Sequence, residues 1–157
     1  VSRAGSSTVS AGSATEPGPA PDVAFREIED ADVEQVVALW RACGLTRPWN
    51  DPHRDVADAR ATPTSTVLVG VRGGVVMSSA VVGYDGHRGW LYYLAVDPGA
   101  QGSGLGRATT AAAEDWLRRA GVRKVRLMVR HGNESVLGFY AALGYTDAEC
   151  VVLGRDL

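Results

Sequence analysis

The sequence predicts a mixed α/β (α+β) domain in which helices cover a central sheet. Two observations predict it. Three β-rich runs, 66–71, 75–82 and 90–96, follow one another with only glycine-rich turns between them, as the strands of a meander do. The third run then opens an alternation of helix, strand, helix and strand. Hairpins followed by a strand–helix–strand unit require one sheet with both antiparallel and parallel pairings.

The chain has 157 residues, which favours one domain. With 45% hydrophobic and 22% charged residues, it has the composition of a soluble globular protein. A net charge of -2 argues against a broad nucleic-acid surface, so no nucleic-acid partner is expected. Arg118, Arg119, Arg123, Lys124, Arg126 and Arg130 are read as a solvated helix end and strand flank. Cys43 and Cys150 form no CxxC unit and are read as small buried apolar residues. No metal is called for. No apolar run reaches membrane-spanning length and the N-terminus lacks the apolar core of a signal peptide. No membrane partner is therefore expected, and a cytoplasmic location follows by elimination.

Residues 1–22 are rich in Ser, Gly, Ala, Thr and Pro and almost free of large apolar side chains. They cannot bury enough surface to offset their ordering entropy and are expected to be a disordered tail. The domain spans 23–157. Its first strand is Val23–Ile28. Asp30 is the expected N-cap of a helix that places Val33, Val36, Val37, Trp40 and Cys43 on one face and stops at Gly44. The prolines and the Asn50-Asp51 pair make 45–53 a loop, followed by a short helix over Asp55–Ala61. Strands Thr66–Val71 and Val75–Val82 flank the turn Gly73-Gly74. A turn over Gly83–Gly89 leads into the strand Trp90–Val96.

Leu105, Ala108, Ala112, Trp116 and Ala120 recur at helical spacing, so Gly104–Ala120 is an amphipathic helix closed by Gly121. Val125–Val129 is the next strand. Asn133 is the expected N-cap of a helix carrying Val136, Tyr140 and Leu143. Gly144 ends it, and Tyr145–Leu153 is expected to be a last strand.

The stretch joining the strand Trp90–Val96 to the next helix is Asp97-Pro98-Gly99-Ala100-Gln101-Gly102-Ser103-Gly104-Leu105-Gly106-Arg107. A strand, a glycine loop and a helix N-terminus together aim free backbone N–H groups at an anion. The missing Cβ atoms let a phosphate approach the backbone. The spacing is G-x-G-x-G rather than the G-x-G-x-x-G of a dinucleotide fold. The following strand ends in Val129-Arg130 rather than in the acidic residue that would hold a ribose. There is no lysine for a P-loop. A tight turn without a ligand is the remaining plain reading.

Gln101-Gly102-Ser103-Gly104-Leu105-Gly106 resembles the acyl-CoA signature of the GNAT acetyltransferase superfamily, Q/R-x-x-G-x-G/A. The block from Asn133 to Tyr145 resembles the family's N-x-x-A-x-x-x-Y-x-x-x-G-F/Y, with Val136 where Ala is usual and with Gly138 inside the helix. The two blocks stand in the family's order. The blocks Arg47–Pro52 and Gly83–Gly89 look like those of the bacterial YpeA-type acetyltransferases.

The resemblance implies a GNAT-like, mostly antiparallel sheet flanked by helices on both faces. It implies an N-acetyltransferase that moves an acetyl group from acetyl-CoA to a primary amine by direct attack in a ternary complex. A non-catalytic acyl-CoA-binding sensor on the same fold is the alternative. Gln101, Gly102, Ser103, Gly104, Leu105, Gly106 and Arg107 would hold the pyrophosphate. Leu94, Ala95 and Val96 would line the pantetheine arm, with Asn133 and Tyr140 also facing the cofactor. A bulge in that strand would free an N–H to polarise the thioester. Tyr140 is the candidate general acid, because a phenol can stabilise or protonate the leaving thiolate. The strand Trp90–Val96 carries no carboxylate, which leaves Asp85, His87 and Glu134 as candidate bases beside their plainer reading as turn and helix residues. Trp49, Tyr84, Arg88 and Tyr92, with Arg47 and Tyr93 nearby, are candidate acceptor contacts. The partners are acetyl-CoA and an amine acceptor, small molecule or protein, on a monomer or homodimer.

Overall fold

A computed structural model describes residues 22–156 of the chain. The expected disordered tail lies outside the described residues apart from Asp22. Five strands form one sheet in chain order: β1 (Ala24–Glu27), β2 (Ser65–Arg72), β3 (Val75–Tyr84), β4 (Gly89–Val96) and β5 (Val125–Leu127). β1 to β4 pair antiparallel, and β5 joins β4 in parallel. The parallel step needs a crossover, which α3 (Leu105–Arg119) supplies. The other helices are α1 (Val33–Ala42), α2 (Pro52–Ala61) and α4 (Glu134–Ala142). Among the described residues no helix is long and apolar enough to cross a membrane.

Alternation along the strands divides the core into two layers. Val67 and Val69 of β2 pack with Val36, Val37, Leu39 and Trp40 of α1 and Val56 of α2. Leu68 faces the other way and packs with Ala80, Val82 and Leu91, and with Ala113 and Leu117 of α3 and Tyr140 of α4. The mixed, mostly antiparallel sheet with helices on both faces thus matches the expected fold class. A bulge keeps β3 in phase with both layers. Gly70 stands opposite Ser78 and Val71 opposite Val76, so Met77 is the extra residue. Val76 therefore joins the α1 layer. Ser78, two residues on, faces α3 and accepts a hydrogen bond from Thr109 Oγ1 at 2.8 Å. Gly70 is required here because a Cβ would collide with Ser78 Oγ.

Several boundaries differ from the sequence reading. Asp30 does not cap α1. Residues Asp30–Asp32 form a short 3-10 turn, and Asp30 instead accepts from Arg60 Nη2 at 2.7 Å. α2 begins three residues early, because Asp51 caps it by accepting from the His53 N–H at 2.9 Å and Pro52 starts the first turn. Gly83, Tyr84 and Gly89 belong to the strands, leaving Asp85–Arg88 as the turn. Asn133 precedes α4, yet its side chain bonds no helix N–H. Cys43 is half-buried and donates to the Val96 carbonyl at 3.2 Å, whereas Cys150 is exposed rather than buried.

The largest correction concerns the last strand. Tyr145–Leu153 pairs with nothing among the described residues, and Val151, Val152 and Leu153 are exposed. The local cause is a turn. Asp147 Oδ1 accepts from the Glu149 N–H at 2.8 Å, and Glu149 takes a left-handed φ of 53° that breaks the extended run. Tyr145 turns inward, with its hydroxyl donating to Glu114 at 2.9 Å. β5 is also shorter than expected and ends at Leu127.

The entry to α1 is held by one buried carboxylate. Asp32 is 3% exposed and accepts from both terminal nitrogens of Arg26, at 2.5 and 3.1 Å, and from the Glu29 N–H at 2.8 Å. Arg26 foremost, and then the Glu29 N–H, holds its pKa below the ordinary 3.8. Its stabilising effect is full above that unfolded-state value and is lost as pH falls through the lower folded value. Asp32→Asn is therefore expected to cost about 2 kcal/mol at neutral pH. Denaturant melts of both proteins should show the gap closing in strong acid.

Candidate functional site

The site is organised by where β4 loses its partner. β5 pairs with β4 from Gly89 opposite Val125 to Leu91 opposite Leu127, and the pairing stops there. Residues Tyr92–Val96 therefore present an open edge on that side. The same segment is bulged on its other side. Val81 stands opposite Tyr92 and Ser79 opposite Ala95, so Tyr93 and Leu94 together occupy the place across from Ala80. A bulge disrupts the ladder locally and leaves one residue outside it. Tyr93 takes a φ of 48°, which is rare for a bulky residue. Its ring joins the α1 layer while Leu94 joins the α3 layer. Ala95 is buried and Val96 half-buried.

After Val96 the chain makes a rigid corner. The Asp97 N–H donates to the Met77 carbonyl at 2.8 Å, and Asp97 Oδ1 accepts from the Gly99 N–H at 2.8 Å. Gln101 Nε2 reaches back to the Val96 carbonyl at 3.4 Å, and Ser103 Oγ donates to the Ala100 carbonyl at 2.6 Å. Both side chains thus brace the loop from within. Gly102 and Gly104 have φ of 77° and 85°. A Cβ added to either would meet nothing within 4 Å, so the outer side of the loop is open. No side chain caps α3. The Ala108 N–H is the first to reach a helical acceptor, the Gly104 carbonyl at 3.1 Å. The earlier N–H groups, from Gly104 to Arg107, are the free donors that an anion can take.

At Gly106 the start of α3 lies beside α4. A Cβ there would lie 3.4 Å from the Phe139 ring and 3.6 Å from Val96 Cγ2. The start of α3, the end of β4 and α4 meet at this position. On α4, Tyr140 is 9% exposed, with its ring edge-on to Phe139 and Tyr145 at 5.0 and 5.4 Å. It shares its apolar layer with Leu91 and Leu94. Burial pushes its pKa up to about 12. Asn133 and Glu134 are exposed at the start of α4.

The other predicted residues fall at the opposite end of β4. Asp85 accepts from the N–H groups of His87 and Arg88, at 2.8 and 2.7 Å, and from Trp90 Nε1 at 2.8 Å. The Arg88 N–H, the Trp90 indole and the His87 N–H lower its pKa to about 2. Tyr84 donates to the Gly86 carbonyl at 3.0 Å, and Arg88 Nη1 lies 3.3 Å from His87 Nδ1. Tyr84, Asp85, His87 and Arg88 are therefore members of one self-braced turn. Trp90 and Tyr92 stack with centroids 6.1 Å apart, forming an aromatic ladder from this turn towards the bulge.

Trp49 is 73% exposed, while Arg47 braces its own loop on the Gly44 and Thr46 carbonyls at 2.8 Å. Sequence reasoning missed Asn50 and Asp55. Asn50 Nδ2 donates to the Tyr93 hydroxyl at 3.2 Å, and that hydroxyl donates to Asp55 Oδ2 at 2.8 Å. The sequence places Asp55 at the start of a helix, but nothing in it links that residue to Tyr93. Among the described residues no cluster of His, Cys, Asp or Glu could hold a metal ion.

The chain matches the Acetyltransferase (GNAT) family over residues 33–145. It is 40% identical over 133 residues to an acetyltransferase of Pectobacterium atrosepticum, covering 85% of this chain and 94% of that protein. An acetyltransferase of Yersinia enterocolitica is 38% identical with the same coverage. The fold resembles that of AAC(6')-Iy, solved in complex with the bisubstrate analogue CoA-S-monomethyl-acetylneamine, with a TM-score of 0.74, 17% identity, and 86% and 98% of the two chains covered. It also resembles the ribosomal-protein-S18-alanine N-acetyltransferase of Escherichia coli, with a TM-score of 0.69, 22% identity, and 80% and 79% coverage. Glycine loop, family match and close relatives agree, and the chain belongs to the GNAT acetyltransferase family.

Proposed function

We propose that this protein transfers an acetyl group from acetyl-CoA to a primary amine by direct attack in a ternary complex. The observation that carries the reading is the open, bulged edge Tyr92–Val96 leading directly into a loop of free N–H donors. Acetyl-CoA supplies an activated acyl group as a thioester. The N–H groups from Gly104 to Arg107 and the positive end of the α3 dipole would hold its pyrophosphate. The open edge at Leu94–Val96 offers main-chain partners to an extended pantetheine arm, as it would to an added strand. At the bulge, a main-chain N–H outside the ladder would polarise the thioester carbonyl.

Tyr140 is the proposed general acid. With its pKa pushed up to about 12 by burial, its hydroxyl keeps its proton throughout the neutral and mildly alkaline range. It can then donate to a leaving thiolate whose conjugate thiol has a pKa near ~8.5. Asp85 is a poor proton acceptor because three donors stabilise its charge, so its role in this reading is to shape the turn. His87 and Glu134 remain base candidates acting through water. Trp49 and the Trp90–Tyr92 ladder would flank the amine, with Tyr84 and Arg88 at the outer end.

Two variants test the reading. Gly104→Val forces a branched side chain into a φ of 85°, at a local cost of about 1–2 kcal/mol. It should abolish acetyl-CoA binding in calorimetry while circular dichroism stays native-like, and retained binding would argue against the loop assignment. Tyr140→Phe keeps the ring and removes the proton. It should lower kcat about a hundredfold, read as CoA thiol release with a panel of amines, and leave acetyl-CoA affinity nearly unchanged. Unchanged turnover would remove Tyr140 from the chemistry.

A further inference from the structure

Tyr93 lies outside the catalytic scheme above, yet it joins the two sides of the site. It sits at the bulge in a left-handed conformation, φ 48°, which costs a bulky L residue energy. Two sets of contacts hold it there. Its ring stacks on Trp40 with centroids 4.4 Å apart and planes 11° apart. Trp40 is fully buried and is fixed in turn by its Nε1, which donates to Ser79 Oγ at 3.0 Å. Ser79 is the residue paired with Ala95, at the closing end of the bulge. The hydroxyl end reaches across to the other element. It donates to Asp55 on the first turn of α2 and accepts from Asn50, the neighbour of Trp49 in the loop between α1 and α2. Burial raises the pKa of this phenol, which keeps it a donor.

We propose that Tyr93 is a positioning residue that couples the bulged backbone of β4 to the acceptor-side loop, so that the thioester and the incoming amine are aligned by one side chain. This rests on the reading that acetyl-CoA lies along Leu94–Val96. A core aromatic would need only its ring, and the stack on Trp40 provides for that. The hydroxyl, with partners 38 and 43 positions away in sequence, serves the connection.

The test uses the full chain and two variants. Tyr93→Phe retains the stack and deletes both hydroxyl bonds. Asp55→Asn keeps an oxygen that can accept from the hydroxyl. Tyr93→Phe should bind acetyl-CoA as the wild type does, but its amide exchange should quicken both in the loop 46–51 and at Leu94–Ala95. Its kcat should fall about tenfold, the equivalent of one hydrogen bond, and its KM for the amine should rise. Asp55→Asn should stay close to the wild type in both readouts. Exchange that quickens in the loop alone, or that changes nowhere, overturns the coupling and leaves the acetyl-CoA reading standing. A wild type that binds no acetyl-CoA overturns that reading, and the inference with it.

Discussion

The parallel pairing of β5 with β4 stops at Leu91 opposite Leu127, and the rest of the site depends on that stop. Had the ladder run on to Val96, the backbone of Tyr92–Val96 would be satisfied on both sides. Because it stops, β4, the strand next to the sheet edge, exposes one side. An exposed edge of this kind is a place to receive an extended ligand. The bulge at Tyr93 and Leu94 adds a second departure on the opposite side of the same strand. Both departures fall on the segment Tyr92–Val96 that leads into the corner before the glycine loop, so one short piece of chain carries all three features.

The cost of that arrangement is borne by the packing around it. Tyr93 is held in a strained conformation by a buried tryptophan. The start of α3 packs beside the Phe139 ring at Gly106, which places α4 and Tyr140 at the same end of the sheet as the loop. Burial of Tyr140 beside Leu91 and Leu94 raises its pKa and so keeps the phenol protonated through the neutral range. The desolvation that packs this layer is thus also what the proposed general-acid role of this phenol draws on.

Much of the fold was legible because its signals are local. The apolar face of Val36, Val37 and Trp40, the Gly73-Gly74 turn and the helical spacing from Leu105 onward each report a backbone period or a turn preference. The buried stripe of α3 runs through Leu105, Thr109, Ala113 and Leu117, one residue along from the expected Ala108, Ala112 and Trp116, and the expected Ala120 is exposed. The glycine spacing located the loop and the start of α3 in the same way. The last strand failed for a matching reason. Val151, Val152 and Leu153 carry strand-like composition, but a strand exists only through its partner, and the turn at Asp147–Glu149 points the run elsewhere. Asp51-Pro52 was a readable start signal for α2, obscured by its likeness to a loop.

By itself the sequence determined the fold class, the family and the position of the glycine loop, because periodicity, glycine spacing and motif order are properties of neighbouring residues. The tertiary structure alone decided three things. It placed the end of the β4–β5 ladder, put a bulge at Tyr93, and joined that residue to Asn50 and Asp55. Register and long-range hydrogen bonds depend on which strands and helices meet in space. A bulge is invisible in a run such as Leu91–Val96 until its partner strand is laid beside it.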